Sequence, residues 1–306
     1  MPELITSAAN PLIKRVRQLG DRRHRRREGA FVVRGIQPVW QAVEAGAEIE
    51  VLIVAPDLLR APAAGLVAGQ ESRGTRVARI SAELFGRIGD RDGPAGLAAI
   101  VRQPDLSLTG LAVRPGSVFV ALHEVANPGN LGTIIRTADA AGAAGVILVG
   151  PCTDPFDPAA VKASMGAVFG VPVAAAEPAG FLSWCAGRGV TLAVASGQPA
   201  GPGDQATFWD ERLPRPLAVL LGSEGSGLPA DLLAAGDLRL RIPMTGTAES
   251  LNLAVAAGIL LYETWRRSRA DVHLGPGTGS PPPSDVGPVQ AGRTEKGGGD
   301  GRRPGS

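Results

Sequence analysis

Two cysteines, Cys152 and Cys185, are all that a chain of 306 residues contains. They are too few for a disulfide framework, and no spaced cluster of cysteine and histidine accompanies them as a zinc site would need. Both thiols are therefore expected reduced and partly buried. Aromatic residues are equally scarce, at 4%, so aliphatic side chains must fill the cores. Neither sign of charge prevails: 31 Lys and Arg face 29 Asp and Glu, and the net charge is +2. Where the charges sit matters more than their sum. A long hydrophobic run is also missing. The longest, "LAVAAGILLY" at 253–262, is about half of the roughly 20 residues that a membrane span requires. The opening "MPELITSAAN" has no apolar core of the kind a secretory signal carries. A soluble, cytoplasmic protein is the expectation. There is no internal repeat, no G-x-G-x-x-G fingerprint and no P-loop lysine, which argues against a nicotinamide-dependent dehydrogenase.

What is present is a packed globular composition, 44% hydrophobic, long enough for two domains each with its own core. Residues 1–34 hold nine basic side chains (Lys14, Arg15, Arg17, Arg22, Arg23, Arg25, Arg26, Arg27 and Arg34) against three acids, Glu3, Asp21 and Glu28. An α/β rhythm follows: strand "AFVVRG", helix "IQPVWQAVEAG", strand "EVLIVA", a broken helix through "PDLLRAPAAGLVAG", strand "TRVARI", a short helix near 82–88 and strand "GLAAIVR". These residues, 1–102, read as a small α/β domain. Residues 103–116, with Pro104, Pro115 and Gly116 and no sustained period, read as a linker. A second α/β domain, 117–268, begins at "VFVALHEV", continuous and apolar like a strand buried on both faces. It closes with the helix "SLNLAVAAGILLYETWRR". Residues 269–306 are low in complexity and read as a disordered tail.

Three loops in the second domain carry polar and glycine residues directly after strands. "NPGNLGTIIRTADAAG" (127–142) opens a helix, with Asn130 read as its cap and Arg136 about one and two-thirds turns further on. "GSEGSGLP" follows strand "PLAVLL" and places Gly222, Glu224, Gly225 and Gly227 where the backbone can approach a ligand. "IPMTGTAESLN" follows strand "LRLR" and opens the last helix, with Ser250 read as the cap. Singly, each loop is an ordinary turn or cap. At the carboxyl ends of three parallel strands they would converge on one cleft. In "GDRRHRRREGAF", Arg22, Arg23, Arg25, Arg26 and Arg27 read either as a solvated basic loop or as phosphate contacts. In a chain whose acidic residues lie elsewhere, the second reading is preferred.

The three motifs, N-x-G-x-x-x-R from Asn130, G-S-E-G-x-G-L from Gly222 and I-P-M-x-G-x-x-x-S-L-N from Ile242, resemble in order and spacing those of the SpoU (TrmH) class of RNA 2′-O-ribose methyltransferases in the SPOUT superfamily. The resemblance is strongest over about 117–267. It extends to "ITSAANPLIKRVRQL" and "FVVRGIQPVWQAVEAG", which look like that class's RNA-binding substrate domain. It implies an α/β parallel sheet with a C-terminal deep trefoil knot, S-adenosyl-L-methionine as cofactor and a homodimer. It also implies cofactor contacts at Gly222, Ile242, Met244 and Leu251, and catalytic roles for Arg136, Asn130, Glu224, Ser250 and Asn252. Two departures stand out: Asn127 where an acid is common, and Leu253-Ala254 after "SLN". The expected activity is methylation of a ribose 2′-hydroxyl, in 23S ribosomal RNA rather than transfer RNA, with antibiotic resistance as one use. Methylation of a transfer RNA ribose, or an RNA-binding module of the same fold without catalysis, is the alternative.

A ribose hydroxyl is a poor nucleophile and must shed its proton during attack on the sulfonium methyl. His123, Glu124, Glu224 and Glu249 are the ordinary bases near the loops, and the acceptor is left open among them and the RNA's own phosphate. Arg136, permanently charged, suits a bidentate clamp on phosphate and ribose. The sulfonium already carries the positive charge, so no metal is called for.

Overall fold

The computed structural model describes residues 4–88, 96–197, 208–209 and 213–273. Helix α1 (Pro11–Gln18) starts where Asn10 accepts a hydrogen bond from the Leu12 amide, with Pro11 at its first position. Helix α2 (Arg22–Glu28) is capped by Asp21 and ended by Gly29 at φ 61°. Then come β1 (Ala30–Arg34), α3 (Ile36–Glu44), β2 (Ile49–Val54), α4 (Ala63–Ser72), β3 (Val77–Arg79), α5 (Ala82–Ile88) and β4 (Leu97–Arg102). The four strands form one sheet in the order β1-β4-β2-β3, antiparallel except for β2 against β3.

After a single 3-10 turn at Leu108–Gly110, the second half runs β5 (Val118–His123), α6 (Pro128–Ala140), β6 (Gly145–Val149) and α7 (Pro158–Ser164). It continues through β7 (Val173–Ala176), α8 (Pro178–Arg188), β8 (Thr191–Ala195), β9 (Leu217–Leu221), α9 (Ala230–Ala234) and β10 (Leu238–Leu240) to α10 (Leu253–His273). Its sheet has six strands in the order β10-β8-β9-β5-β6-β7, every pair parallel. Parallel strands need helical crossovers that cover both faces, which is why β5, β6 and β9 are buried at every position. Strand order turns back between β5 and β9, and loops at such a point diverge to leave a crevice.

The two sheets share a core. Successive strand residues alternate faces. Ala30, Val32, Val51, Ile53, Ala98 and Ile100 therefore lie against α1 and α5 in a core of their own. Phe31, Val33, Leu52, Val54, Leu97 and Ala99 face the other way and join one cluster with Leu122, Ile134, Phe156 and Val168. Phe31 sits 4.6 Å from Phe156 and 5.9 Å from Phe169, ring centre to ring centre. Two independent cores were the expectation, and one face of the first sheet departs from it. Helices α3 and α4 bring Val39, Ala63 and Val67 to that face, and what they leave uncovered is buried against the second half.

Other departures are local. The arginine-rich stretch read as a loop is helix α2. Helix α7 stops at Ser164, because Met165 (φ 53°) and Gly166 (φ 97°) are left-handed. A side chain at Gly166 would meet Gln41 at 2.9 Å, so that bend also admits α3 from the first sheet. The stretch read as linker includes buried Leu111, and the carbonyl of Leu106 accepts a hydrogen bond from the Ala175 amide. Helix α10 continues to His273, past residue 268, and the remainder of the tail lies outside the described residues. Both cysteines are free and buried; burial pushes the Cys185 thiol up to about 12 and raises that of Cys152. No helix among the described residues is long and apolar enough to cross a membrane.

Candidate active site

The loops after β5, β9 and β10 meet at the carboxyl edge of the six-stranded sheet, beside the crevice between β5 and β9. Side-chain amides tie them together. Asn130 Nδ2 donates to Glu224 Oε1 at 2.8 Å, and Asn252 Nδ2 donates to Asn130 Oδ1 at 3.1 Å. One asparagine from the first loop thus bridges the second and third, its amide used as both donor and acceptor.

Neither expected cap is in place. Asn127 caps α6, its Oδ1 accepting from the amides of Gly129 (2.8 Å) and Asn130 (3.1 Å). Pro128 occupies the first helical position, where a missing N–H costs nothing, so the helix starts before Asn130. Asn130 is thereby released to bridge the loops. The third loop repeats the substitution: Asn252 Oδ1 accepts from Ala254 N (2.9 Å) and Val255 N (3.4 Å), and Ser250 lies outside the helix. The departure at Asn127 is thus a neutral cap where an acid could serve, and Leu253 and Ala254 are buried in the shared core.

The glycines of the second loop divide into distinct roles. Ser223 and Gly227 exchange both backbone hydrogen bonds, at 3.2 and 3.1 Å, closing a tight loop with Glu224 on it. A Cβ at Gly222 would stand 2.2 Å from the carbonyl carbon of Gly227. Gly222 is therefore demanded by its own loop, before any ligand is considered. Gly227 has φ 68°, whereas nothing crowds Gly225 and its φ is ordinary.

A cavity of about 380 Å³ opens beneath these loops, within the range of small-molecule sites. Gly222, Glu224, Ile242, Met244, Ser250, Leu251 and Asn252, all singled out from the sequence, line it, together with Glu249. Its floor is apolar, formed by Leu221, Leu240, Leu253, Ala256 and Leu260. Ala195, Ser196 and Gly197, after β8, also line it and were not anticipated, because a short Ala-Ser-Gly turn carries no chemical signal. Phe208 was missed as well. It is fully buried and donates its amide to the carbonyl of Arg241, bracing the chain just before Ile242.

Arg136 stands apart. It is exposed on α6, does not line the cavity, and has no hydrogen-bond or ion-pair partner among the described residues. His123 is buried with its Nδ1 unpartnered and its Nε2 3.8 Å from Glu124 Oε1; neither residue lines the cavity. Glu124 directly follows β5 with φ 52°, a conformation that costs a side chain of this size energy.

On α2, Arg22, Arg23 and Arg26 frame a surface depression with Asp21, and Arg27 is exposed. Arg25 does not join them. It is 1% exposed and points inward, its Nε and Nη2 2.8 and 2.7 Å from Asp154 Oδ2. Five arginines within six residues look alike in sequence, but a period of 3.6 residues turns one of them toward the interior.

Comparison with known proteins places this architecture. Residues 117–262 match the SpoU rRNA Methylase family, and residues 10–99 match the MRM3-like substrate binding domain. The chain is 32% identical over 263 residues to a 23S rRNA (uridine(2479)-2′-O)-methyltransferase of Streptomyces viridochromogenes, covering 81% of this chain and 87% of that protein. It is 29% identical over 258 residues to the 23S rRNA (guanosine(2553)-2′-O)-methyltransferase RlmP of Bacillus subtilis, covering 84% and 97%. Among solved structures, the AdoMet-bound rRNA methyltransferase from Sinorhizobium meliloti superposes with a TM-score of 0.78 at 36% identity, covering 87% of this chain and 98% of that one. A parallel α/β sheet matched to methyltransferase structures sets the class. The chain belongs to the SpoU rRNA methylase family.

Proposed function

We propose that the protein transfers the methyl group of S-adenosyl-L-methionine to a ribose 2′-hydroxyl of 23S ribosomal RNA. The observation that carries this reading is the Glu224–Asn130–Asn252 chain, which draws three loops together over the cavity. The cavity suits the cofactor chemically. Ile242, Leu251 and Leu260 offer apolar surface for an adenine, and Glu224 and Glu249 bring carboxylates to the same wall for a cationic sulfonium. Gly222, Ile242, Met244 and Leu251 are assigned to cofactor binding.

The cofactor supplies an activated methyl group; the chain's residues supply alignment. Asn130 and Asn252 hold the loop edge rigid, and Ser250 offers a hydroxyl to the ribose. Glu224 fixes the orientation of the Asn130 amide. Arg136, free of structural partners, grips an RNA phosphate and ribose. In-line placement of the two reacting groups accounts for much of the rate.

The finer architecture belongs to the same reading. Residues 1–102 form the RNA substrate-binding domain, with Arg22, Arg23, Arg26 and Arg27 toward RNA. Residues 103–116 connect it to the methyltransferase domain, 117–268. That domain ends in a deep trefoil knot. Support for the knot comes from β10 lying at the sheet edge while α10 returns to pack on α6 and on central β5 and β9. The protein works in the cytoplasm as a homodimer; Val255, Tyr262 and Trp265 form an exposed apolar stripe on α10 that supports association.

The test is transfer of labelled methyl from S-adenosyl-L-methionine to unmodified 23S ribosomal RNA made by transcription, with transfer RNA alongside. Label is expected in 23S RNA, at a position where the 2′-O-methyl group blocks alkaline cleavage. Cofactor binding without transfer to any RNA would leave a non-catalytic RNA-binding module.

A further inference from the structure

We infer that Arg25 is a positioning residue that sets the RNA-contacting face of α2 at a fixed distance from the catalytic helix α6. Its guanidinium is fully used. Nε and Nη2 lie 2.8 and 2.7 Å from Asp154 Oδ2, and Nη2 donates to Asp157 Oδ2 at 3.4 Å. Nη1 donates to the carbonyls of Leu19 (3.1 Å) and Gly20 (2.8 Å), which end α1. One buried side chain therefore binds the turn between α1 and α2 to the segment that opens α7.

Both carboxylates are themselves fixed. Asp154 Oδ1 accepts from the Phe156 amide at 2.9 Å, and Asp157 Oδ1 accepts from the Ala159 amide at 2.9 Å as the cap of α7. Helix α7 in turn lies against α6 so closely that a Cβ on Gly132 would meet the Ala160 carbonyl oxygen at 2.2 Å. Rigid contacts thus run from Arg22, Arg23 and Arg26 through Arg25, Asp154 and α7 to Asn130 and Arg136. A forked, planar donor is required, because an ammonium cannot serve two carboxylates and two carbonyls in fixed directions.

The function of this path is register. Phosphates held on α2 fix where the RNA lies, and only a set spacing delivers the ribose to α6. The inference rests on the proposed reading of α2 as an RNA surface and of the cavity as the methyl-transfer site.

The experiment compares Arg25→Gln with the unaltered protein in methyl transfer to the 23S RNA transcript, with cofactor affinity measured by calorimetry. KM for RNA is expected to rise about tenfold, with kcat and cofactor affinity unchanged; Arg25→Lys should recover only part of the loss. An unchanged KM overturns the inference. A fall of kcat and cofactor affinity in step with KM also overturns it, because that pattern marks a general folding defect. Should Arg25→Gln not fold, Asp157→Ser carries the same test, since serine keeps the α7 cap and removes one charge; a rise in RNA KM with constant kcat is required. Alanine at Arg22, Arg23 and Arg26 together separates the two levels. If that variant keeps the RNA KM, the reading of α2 itself fails; if it raises KM and the Arg25 variants do not, only the present inference fails.

Discussion

Arg136 and Gly222 belong to the same site for opposite physical reasons. Arg136 has no partner among the described residues and is exposed, so the fold does not depend on it. Arg136→Ala is expected to leave stability within about 0.5 kcal/mol of the parent. Cofactor affinity should also hold, while methyl transfer falls by at least about 100-fold. Calorimetry beside a transfer assay checks this, and a matching loss of cofactor binding would give Arg136 a structural role instead. Gly222 lines the cavity and permits the Ser223–Gly227 closure. Gly222→Ala must push the loop open, because the new carbon would lie 2.2 Å from backbone. Cofactor affinity is expected to collapse, whereas Gly225→Ala, with open space around it, should bind normally. Equal behaviour of the two variants in a binding titration would refute that division.

Helix contacts carry a second level of constraint. Gly132 lets α6 and α7 approach, and both neighbours of the added carbon are unyielding: the Ala160 carbonyl oxygen at 2.2 Å and the Ala163 Cβ at 2.7 Å. Gly132→Ala is therefore expected to cost about 1–3 kcal/mol, read as a lower urea midpoint with an unchanged slope. On α10, Arg266 and Arg267 hold buried Glu263 as a carboxylate and lower its pKa from the ordinary 4.5 to about 2. Arg267 also donates to the carbonyls of Phe208 and Trp209, so the ion pair braces the chain that precedes the third loop. Because the folded value is the lower one, this stabilisation is complete above 4.5 and fades as pH falls toward 2. Glu263→Gln should flatten the acid limb of a stability-against-pH curve over that window. An acid limb identical to the parent's would show that other carboxylates set it.

For the molecule as a whole, the near-balanced charge conceals a polarised distribution. Arg22, Arg23, Arg26 and Arg27 gather on the exposed side of α2, and the shared core around Phe31, Phe156 and Phe169 holds that helix's sheet against the second one. RNA affinity should fall steeply with salt. Alanine at Arg22, Arg23 and Arg26 should reduce the slope of log K against log salt by roughly 2, at about 0.7 for each phosphate no longer neutralised. Filter binding across a salt series reads this directly, and an unaltered slope would place the RNA on another face.

Strand and helix order, the parallel sheet and the three motif loops were legible from residue patterns alone, since apolar periodicity and turn chemistry are local properties. Gly222, Ile242, Met244 and Leu251 could be named through the motifs' resemblance to a family, whereas Ala195, Ser196 and Gly197 could not. Tertiary contact decided the rest. It set Asn130 between two other loops and gave the one inward arginine of five its carboxylate partners. It also made Gly222 and Gly132 into close approaches and merged two expected cores along one sheet face. Those outcomes depend on which surfaces meet across 94 residues between Asn130 and Glu224, or 129 between Arg25 and Asp154. A local pattern fixes which face of an element is apolar, but only the packed chain determines what that face touches.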